Sequence, residues 1–143
     1  MQPNEYQQLA LRTEFTPIFI QDPNIDQPIN GNNPGLALTA RQYARLMHAA
    51  LGACTEVGEL QDAIKKNLIY GKAFDGVNVV EECGDVLWYI ALAVHAAGYS
   101  MEECMQRNID KLRARFPDKF TQDQAITRNL DVERAALEGN PRP

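Results

Sequence analysis

Two stretches of this chain place acidic side chains among small and apolar residues. They are CTEVGELQDAIKK, residues 54–66, and VVEECGDVLWYIALAV, residues 79–94. Each contains two acids three positions apart: Glu56 and Glu59 in the first, and Glu82 and Asp85 in the second. Both stretches are predicted to be helical, so each pair lies on one helix face. The question is why two helices would place acid pairs beside core-forming residues, where unpaired charges are costly.

The composition limits the class of protein. The chain has 143 residues, of which 45% are hydrophobic and 23% charged; this predicts one domain, residues 1–143, with a core of its own. A net charge of −5 argues against a nucleic-acid partner held by general basicity. The N-terminus does not resemble a signal peptide, and no run reaches the roughly 18 apolar residues of a membrane span. We therefore expect a cytoplasmic protein without a membrane partner.

The cysteines predict a reducing environment. Cys54, Cys83 and Cys104 lie in three different predicted helices and form no CxxC pair. An odd number with this spacing favours buried free thiols over a disulfide framework or a zinc site.

The local signals predict an all-α protein, a four- to five-helix bundle. A first helix is expected over residues 4–14, with Asn4 as its N-cap. Three later helices each begin with a pair that fits a capping box: Thr39 with Gln42, Asn78 with Glu81, and Ser100 with Glu103. These helices are expected to end near Gly71, Gly98 and Pro117. Four prolines and two glycines predict a long loop over 16–38, before a core at about 39–120. The tail, 121–143, is expected to add a short peripheral helix near 130–138.

The acid pairs indicate a metal site if their helices pack with these faces inward. Four converging carboxylates repel one another, and more strongly when desolvated, so cations must neutralise them. Hard divalent ions with oxygen ligands, Mg²⁺ or Mn²⁺, are the natural choice. Neighbouring residues favour this reading over solvated acids, because they are apolar: Leu51, Val57, Leu60, Val86, Leu87, Trp88 and Ile90. A di-iron site is disfavoured, since neither His48 nor His95 lies three residues after a glutamate.

A predicted later helix carries the opposite charge. In ECMQRNIDKLRARFP, an apolar stripe is formed by Met105, Ile109, Leu112 and Phe116. Asn108, Lys111 and Arg115 form a neighbouring stripe, about a quarter-turn round the axis. A cationic strip facing an acidic, metal-loaded strip would suit a polyphosphate. A solvated basic helix is the alternative.

The spacing of the acids raises a geometric difficulty. A helix that reaches Tyr70 extends about 16 Å beyond Glu59, whereas Asn78 lies only about 6 Å before Glu82. In a simple antiparallel hairpin the two pairs would miss each other. Either the first helix ends early, near Lys66, or its last turns overhang and the chain folds back. Both options bring Lys65, Lys66 and Lys72 near the mouth of the site.

Taken together, these motifs resemble the MazG-like family. The resemblance rests on ExxE at Glu56 and Glu59, ExxD at Glu82 and Asp85, and the later NIDKLRARFPDKF. The family comprises all-α nucleoside triphosphate pyrophosphohydrolases, related to dimeric dUTPases, dCTP pyrophosphatases and phosphoribosyl-ATP pyrophosphohydrolases. The similarity covers about residues 40–120. EVGEL, YGK, EECGDVLWYI and RFPDKF look most like small stand-alone members from bacteria and phages.

The resemblance implies an activity and a set of site residues. It implies hydrolysis of a nucleotide between its α and β phosphates, with Mg²⁺ bound by Glu56, Glu59, Glu82 and Asp85. It also implies that Asn108, Lys111 and Arg115 contact phosphates, and that the chain forms a homodimer or a tetramer of dimers.

Further roles follow from chemistry and from position. We expect Glu56 or Glu59 to help deprotonate the attacking water. Tyr89 is the first candidate for contacting the nucleobase. His48, Arg12 and Thr13 are weaker candidates, since a core or hydrogen-bonding role is the alternative for His48, and Trp88 is more typical of a core residue. Among the three lysines, Lys66 is the expected substrate contact.

Two alternative functions stay open. One is a phosphoribosyl-ATP pyrophosphohydrolase, and the other is a non-enzymatic helical interaction module with solvated acids. The base and sugar of the substrate cannot be read from these residues. Analogy with the family favours a pyrimidine deoxynucleotide, in nucleotide-pool control or house-cleaning.

Overall fold

The computed structural model describes residues 1–15, 24–29 and 38–139. It contains six α-helices, α1 (Pro3–Leu11), α2 (Ala40–Leu68), α3 (Gly76–Ala96), α4 (Met101–Arg115), α5 (Gln122–Ile126) and α6 (Leu130–Glu138). Within those ranges there is no strand, only an isolated bridge between Pro28 and Thr39. The all-α prediction is thus confirmed. None of the helices is both long and apolar enough to cross a membrane.

Two of the three predicted capping boxes are present. At the start of α2, the Thr39 hydroxyl accepts from the Gln42 amide (3.1 Å), and the Gln42 side chain accepts from the Thr39 amide (2.9 Å). Ser100 and Glu103 make the same reciprocal pair at the start of α4, at 3.2 and 2.9 Å. Each box satisfies backbone N–H groups that have no partner within the helix. Because this requires particular residues three positions apart, these helix starts can be predicted from the sequence.

The predicted starts of α1 and α3 are wrong. The N-cap of α3 is Asp75, whose carboxylate accepts from the Asn78 amide at 3.1 Å, so the helix begins nearly one turn before the predicted cap. Similarly, α1 is capped by Gln2 instead of Asn4, and its first position is Pro3. In both cases the true cap lies a few residues upstream, because an upstream side chain or a proline at the first position serves the helix start better.

Helix α2 extends past the level of the acids, which resolves the predicted mismatch in level between the two acid pairs. Helix α2 continues to Leu68, nine residues beyond Glu59, so it does not end early. The chain then reverses through Gly71, whose φ of 64° favours glycine. The Lys72 amide donates to the Lys66 carbonyl at 3.1 Å, and the Asn67 side chain donates to the Lys72 carbonyl at 2.7 Å. These bonds hold the returning segment against the last turn of α2.

The chain divides into two compact units, one up to Tyr99 and the other from Ser100 onward. In the first unit, α2 packs along α3, and α1 packs on α3. In the second unit, α4 packs on α6. The short C-terminal helix predicted near 130–138 is α6. The assignment of the whole chain to one domain stays a prediction.

Few large side chains are buried. The buried apolar residues in the described ranges are Ile25, Ala49, Ala91, Leu92, Ala96 and Met101. Several residues expected to border a core are exposed, among them Leu51, Val57 and Leu87. Cys54 and Cys83 are also exposed, so the predicted burial of these two free thiols is wrong. All five lie on faces of α2 and α3 that the described part of the chain covers little.

The predicted long loop falls mostly on residues 16–23 and 30–37, which lie outside the described ranges. Between them, Ile25 is buried and its carbonyl accepts from the Arg41 amide at 3.1 Å. Arg41 also forms a bidentate ion pair with Asp26, at 2.7 and 3.2 Å. This part of the segment is therefore attached to the first turn of α2.

Close packing of α2 against α3 gives a first testable prediction. A Cβ at Gly52 would lie 2.0 Å from the Tyr89 ring, whereas one at Gly58 would meet nothing within 4 Å. Gly52→Ala is expected to displace the Tyr89 ring and to lower the free energy of unfolding by about 1–3 kcal/mol. The matched change Gly58→Ala should raise it by roughly 0.5–1 kcal/mol through helix propensity. Urea denaturation of both variants measures this, and equal stability of the two would contradict the contact.

Candidate functional site

Three of the four predicted acids meet at the contact between α2 and α3. One carboxylate oxygen from each of Glu56, Glu59 and Glu82 lies within 4.8 Å of the other two. Glu82 is buried at 7% exposure, Glu56 is half-buried and Glu59 is exposed. Carboxylates from two helices therefore converge. Solvated acids that occur by chance on separate helices would have no reason to do so.

The fourth acid, Asp85, lines a cavity of about 390 Å³ together with Glu56. The other lining residues are Thr13, Trp88 and Tyr89. The cavity thus has acids on one part of its wall and aromatic rings on another. This combination suits a ligand that carries both charged and planar groups.

The electrostatics of the cluster reflect its crowding. Burial raises the pKa of Glu56, and the negative charges of Glu59, Asp85 and Glu82 raise it further. Glu82 is held by the Asn78 side chain, which donates to Glu82 Oε1 at 2.7 Å. Asn78 is expected from the sequence only as a helix cap, although its position four residues before Glu82 places both side chains on one helix face.

The donor set fits a hard divalent cation. All the converging atoms are carboxylate oxygens, the ligands that Mg²⁺ and Mn²⁺ prefer, and no imidazole or thiol is among them. Burial raises the pKa of Glu56 and the nearby unneutralised carboxylates add to that rise, so a bound cation would offset the repulsive part.

An aromatic cluster lies beside the acids. His48 is 5.6 Å from Tyr89 and 6.2 Å from Trp88 between ring centroids, and Trp88 and Tyr89 are 4.9 Å apart, all edge to face. The structure therefore places the predicted pair His48 and Tyr89 together. Thr13, a weaker candidate for contacting the base, and Trp88, expected to be a core residue, both line the cavity.

The predicted lysine contact lies at the end of α2. Lys65 and Lys66 both form ion pairs with Asp62, at 2.6 and 2.9 Å, and their hydrogen bonds lower the pKa of Asp62 to about 2. The hydrogen bond to Asp62 raises the pKa of Lys66, and the charge of Glu82 contributes in the same direction. Lys66 is thus within electrostatic range of the acid cluster.

The predicted cationic stripe belongs to the second unit. Arg115 forms a bidentate ion pair with Glu133, which is only 4% exposed and also pairs with Arg128. On the same helix Asn108 is exposed and Lys111 is half-buried. Glu133 was not predicted, because no local pattern links it to a residue 18 positions earlier. The roles of Asn108, Lys111 and Arg115 toward phosphates stay predictions.

Comparison with known proteins identifies the family. The model of the MazG nucleotide pyrophosphohydrolase domain matches residues 46–120, just over half of the chain. The chain belongs to the MazG family. The matched range contains all four predicted acids and the stripe of Asn108, Lys111 and Arg115.

A relative of this MazG-family chain is the gene 37 protein of Mycobacterium phage L5. The two are 32% identical over 77 residues, which cover 49% of this chain and 65% of the phage protein. This chain therefore spans less than two thirds of that relative's length. No solved structure gives a significant match. The MazG-family range begins at residue 46, so α1 and Thr13 lie before it and α6 lies after it.

A metal at the acid cluster would couple to stability. Mg²⁺ that binds the folded chain and not the unfolded one should raise the unfolding free energy by about 2.7 kcal/mol per site at a hundred times its dissociation constant. Glu82→Gln retains the shape and an oxygen for Asn78, and it removes one negative charge. We expect its metal-free stability to be equal or higher and its gain from Mg²⁺ to be smaller.

Thermal melts of wild type and Glu82→Gln, each with EDTA and with excess Mg²⁺, measure both effects. Glu81→Gln is the matched control, since Glu81 is an exposed neighbour on α3 outside the cluster. A wild-type melt that Mg²⁺ leaves unchanged would exclude a metal site here.

Proposed function

We propose that this protein is a metal-dependent nucleoside triphosphate pyrophosphohydrolase. It converts a (d)NTP and water to a (d)NMP and pyrophosphate, in nucleotide-pool control or house-cleaning. The observation that carries the proposal is the convergence of Glu56, Glu59 and Glu82 from two helices inside the range that matches the MazG domain. Asp85, in the cavity beside Glu56, completes the acidic set.

In this proposal the four acids hold Mg²⁺, with Mn²⁺ as a possible substitute. When bound, the ion supplies positive charge that screens the phosphate oxygens. The chain itself orients the ligands. Glu82 is fixed by Asn78, and the α2–α3 contact fixes the spacing between the pairs. Oriented ligands lower the entropic cost of assembling the site.

The attacking water needs a proton acceptor. Its oxygen bonds to the α-phosphorus, the bond from that phosphorus to the α,β-bridging oxygen breaks, and pyrophosphate leaves. Either Glu56 or Glu59 accepts the water's proton. The position of Glu56 in the cavity wall supports Glu56, because a base must lie within reach of the proton that it abstracts.

The remaining contacts divide between phosphate and nucleoside. Lys66, Asn108, Lys111 and Arg115 are assigned to phosphate oxygens, and Tyr89 and His48 to the nucleoside. Because Glu133 pairs with both Arg115 and Arg128, that cluster retains one uncompensated positive charge that a phosphate can use.

The catalytic assignment predicts the effect of removing single charges. Glu59→Gln and Asp85→Asn should each lower the rate of pyrophosphate release at least about tenfold, the loss typical of disturbing even an outer-shell metal partner. The fold should survive, because each change retains the side-chain shape. Activity is measured by the formation of nucleoside monophosphate and pyrophosphate, and folding by circular dichroism. Glu81→Gln serves as the control, and wild-type rates in either test variant would disprove the metal assignment.

Substrate profiling separates the alternatives. A panel of common and damaged (d)NTPs with Mg²⁺, with phosphoribosyl-ATP included, distinguishes pool control or house-cleaning from the phosphoribosyl-ATP reaction. Failure of the whole panel would favour the non-enzymatic interaction module.

We also propose that the protein is a homodimer or a tetramer of dimers. Helix α2 has an exposed stripe whose positions alternate four and three apart: Tyr43, Met47, Ala50, Cys54, Val57, Gln61, Ile64 and Leu68. Helix α3 has a similar exposed stripe, Val80, Cys83, Leu87 and Ile90. This spacing is typical of a helix-packing seam. A second copy of the hairpin would cover both stripes, and monomers rarely leave such a surface in water.

The association predicts a change in molar mass. At micromolar concentration, wild type should elute as a dimer or tetramer by size exclusion with light scattering. Met47→Glu should shift it toward the monomer, because Met47 is a large apolar residue of the α2 stripe and is 62% exposed. Lys119→Glu, an exposed change outside the helices, is the control. An active wild-type monomer would refute this proposal.

A further inference from the structure

Helix α1, which precedes the MazG-matched range, is attached to α3 by specific polar contacts. Gln7 is only 6% exposed, and its side-chain N–H group donates to the Ala91 and Tyr99 carbonyls at 3.3 and 3.4 Å. The Tyr6 hydroxyl donates to the Gly84 carbonyl at 3.4 Å, next to the predicted ligand Asp85. Burial of such polar groups is favourable only when they are paired, so these bonds fix where α1 lies on α3.

The end of α1 holds Trp88. The indole Nε1 lies 2.9 Å from both the Ala10 carbonyl oxygen and Thr13 Oγ1. The Thr13 hydroxyl donates its only proton to the Ala10 carbonyl at 2.8 Å, so its oxygen is an acceptor for the indole N–H. Trp88 is therefore oriented by two acceptors from a segment 75 or more residues away in sequence.

The turn that carries Thr13 is itself anchored. The next residue, Glu14, accepts two hydrogen bonds from Arg45 of α2, at 2.7 and 2.8 Å. Arg45 also contacts His95 Nδ1 of α3 at 3.0 Å. Because a guanidinium has no acceptor, Nδ1 accepts in this contact. The Thr13 turn is thus tied to both helices that supply the acids, and the ion pair is mostly shielded, with side chains 16% and 20% exposed.

Thr13 and Trp88 both line the cavity that contains Glu56 and Asp85. The proposed cation would hold the phosphates at the acid side, which leaves the aromatic side for the nucleoside. Stacking on an aromatic ring contributes to binding for any base, and it contributes more when the ring is already held at a fixed place and angle. The two hydrogen bonds that the indole N–H donates hold this ring. The neighbouring Tyr89 ring packs against it edge to face, with 4.9 Å between the ring centroids.

We propose that the N-terminal segment Pro3–Glu14 is part of the active site, with Thr13 as a positioning residue that fixes Trp88 as a wall for the nucleoside portion of the substrate. This inference rests on the proposed function. It adds to that function a component outside the family-matched range.

Kinetics of Thr13 variants provide the first test. Thr13→Val removes the hydroxyl and retains the shape, so KM for a hydrolysed nucleoside triphosphate should rise on the order of fivefold, with kcat within about twofold of wild type. Thr13→Ser retains the hydroxyl and should restore the wild-type KM. Inorganic tripolyphosphate has no nucleoside, so its inhibition constant should be the same in all three proteins. A fall in kcat with KM unchanged, or an equal loss of tripolyphosphate affinity, would overturn the proposal.

A second variant separates positioning from a general loss of structure. Trp88→Phe retains an aromatic ring but has no N–H to donate. Its KM should rise at least as much as that of Thr13→Val, because it loses the bonds to both Ala10 and Thr13. The double variant should be no worse than Trp88→Phe alone, since that change already removes the hydrogen bond that Thr13→Val removes. Additive losses would overturn the proposal.

Trp88 fluorescence gives a readout that does not need catalysis, because Trp88 is the protein's only tryptophan. Emission excited where tyrosine does not absorb should change on titration with α,β-methylene analogues of ATP and CTP, and not with tripolyphosphate. A response without hydrolysis would support the nucleoside wall while the proposed reaction fails. Hydrolysis without a response would overturn the inference and leave the reaction standing. Absence of both would overturn both.

Discussion

The contact between α2 and α3 is the constraint on which the rest of this molecule depends, because it forces carboxylates of like charge together. Glu56, Glu59 and Glu82 can approach within 4.8 Å only if the two helices pack closely at this level. Gly52 makes that possible, since any side chain there would occupy the place of the Tyr89 ring. Burial raises the pKa of Glu56, and repulsion from the neighbouring carboxylates raises it further. A fold that maintains this arrangement has an electrostatic cost that a bound cation would relieve.

The same arrangement explains the sparse core. The shared face of α2 and α3 carries acids, small residues and aromatic rings, which leaves Leu92 as the one large side chain that is fully buried in the described part of the chain. The aliphatic residues are instead on the outer faces of these helices, at heptad-like spacing. A chain of this size normally buries most of its apolar surface. The candidate site is built on the faces of α2 and α3 that pack within the chain, whereas the proposed association would cover the outer faces of the same two helices.

Features decided by local sequence were predictable, and features decided by distant contacts were not. The capping boxes at Thr39 and Ser100, the spacing of the acids and the family motifs all depend on residues within one or two helical turns, and each could be read directly. The start of α3 was misassigned because Asp75, not Asn78, supplies the cap. The bonds from Trp88 to Ala10 and Thr13, and from Arg115 to Glu133, join residues far apart in the chain. Neither hydrophobic periodicity nor capping residues can predict such pairings.

Two carboxylates in this chain respond to pH in opposite directions. The folded-state pKa of Glu56 is raised, so the folded metal-free protein retains that proton more tightly than the unfolded chain, and stability falls as pH rises through this pKa. Hydrogen bonds from Arg115 and Arg128 lower the pKa of Glu133 to about 2, so its contribution is present above the unfolded value and is lost as pH falls toward 2. Near neutral pH, Glu133 therefore makes its full contribution to the stability of its unit. At the same pH the ionised Glu56 makes the acid cluster least favourable to the stability of the metal-free protein. Because a bound ion would select the ionised carboxylates, the proposed metal binding would bring its largest gain near neutral pH. The ion pairs of Glu133 thus stabilise their unit without any ligand, whereas the proposed cation would be needed to offset the repulsion around Glu56.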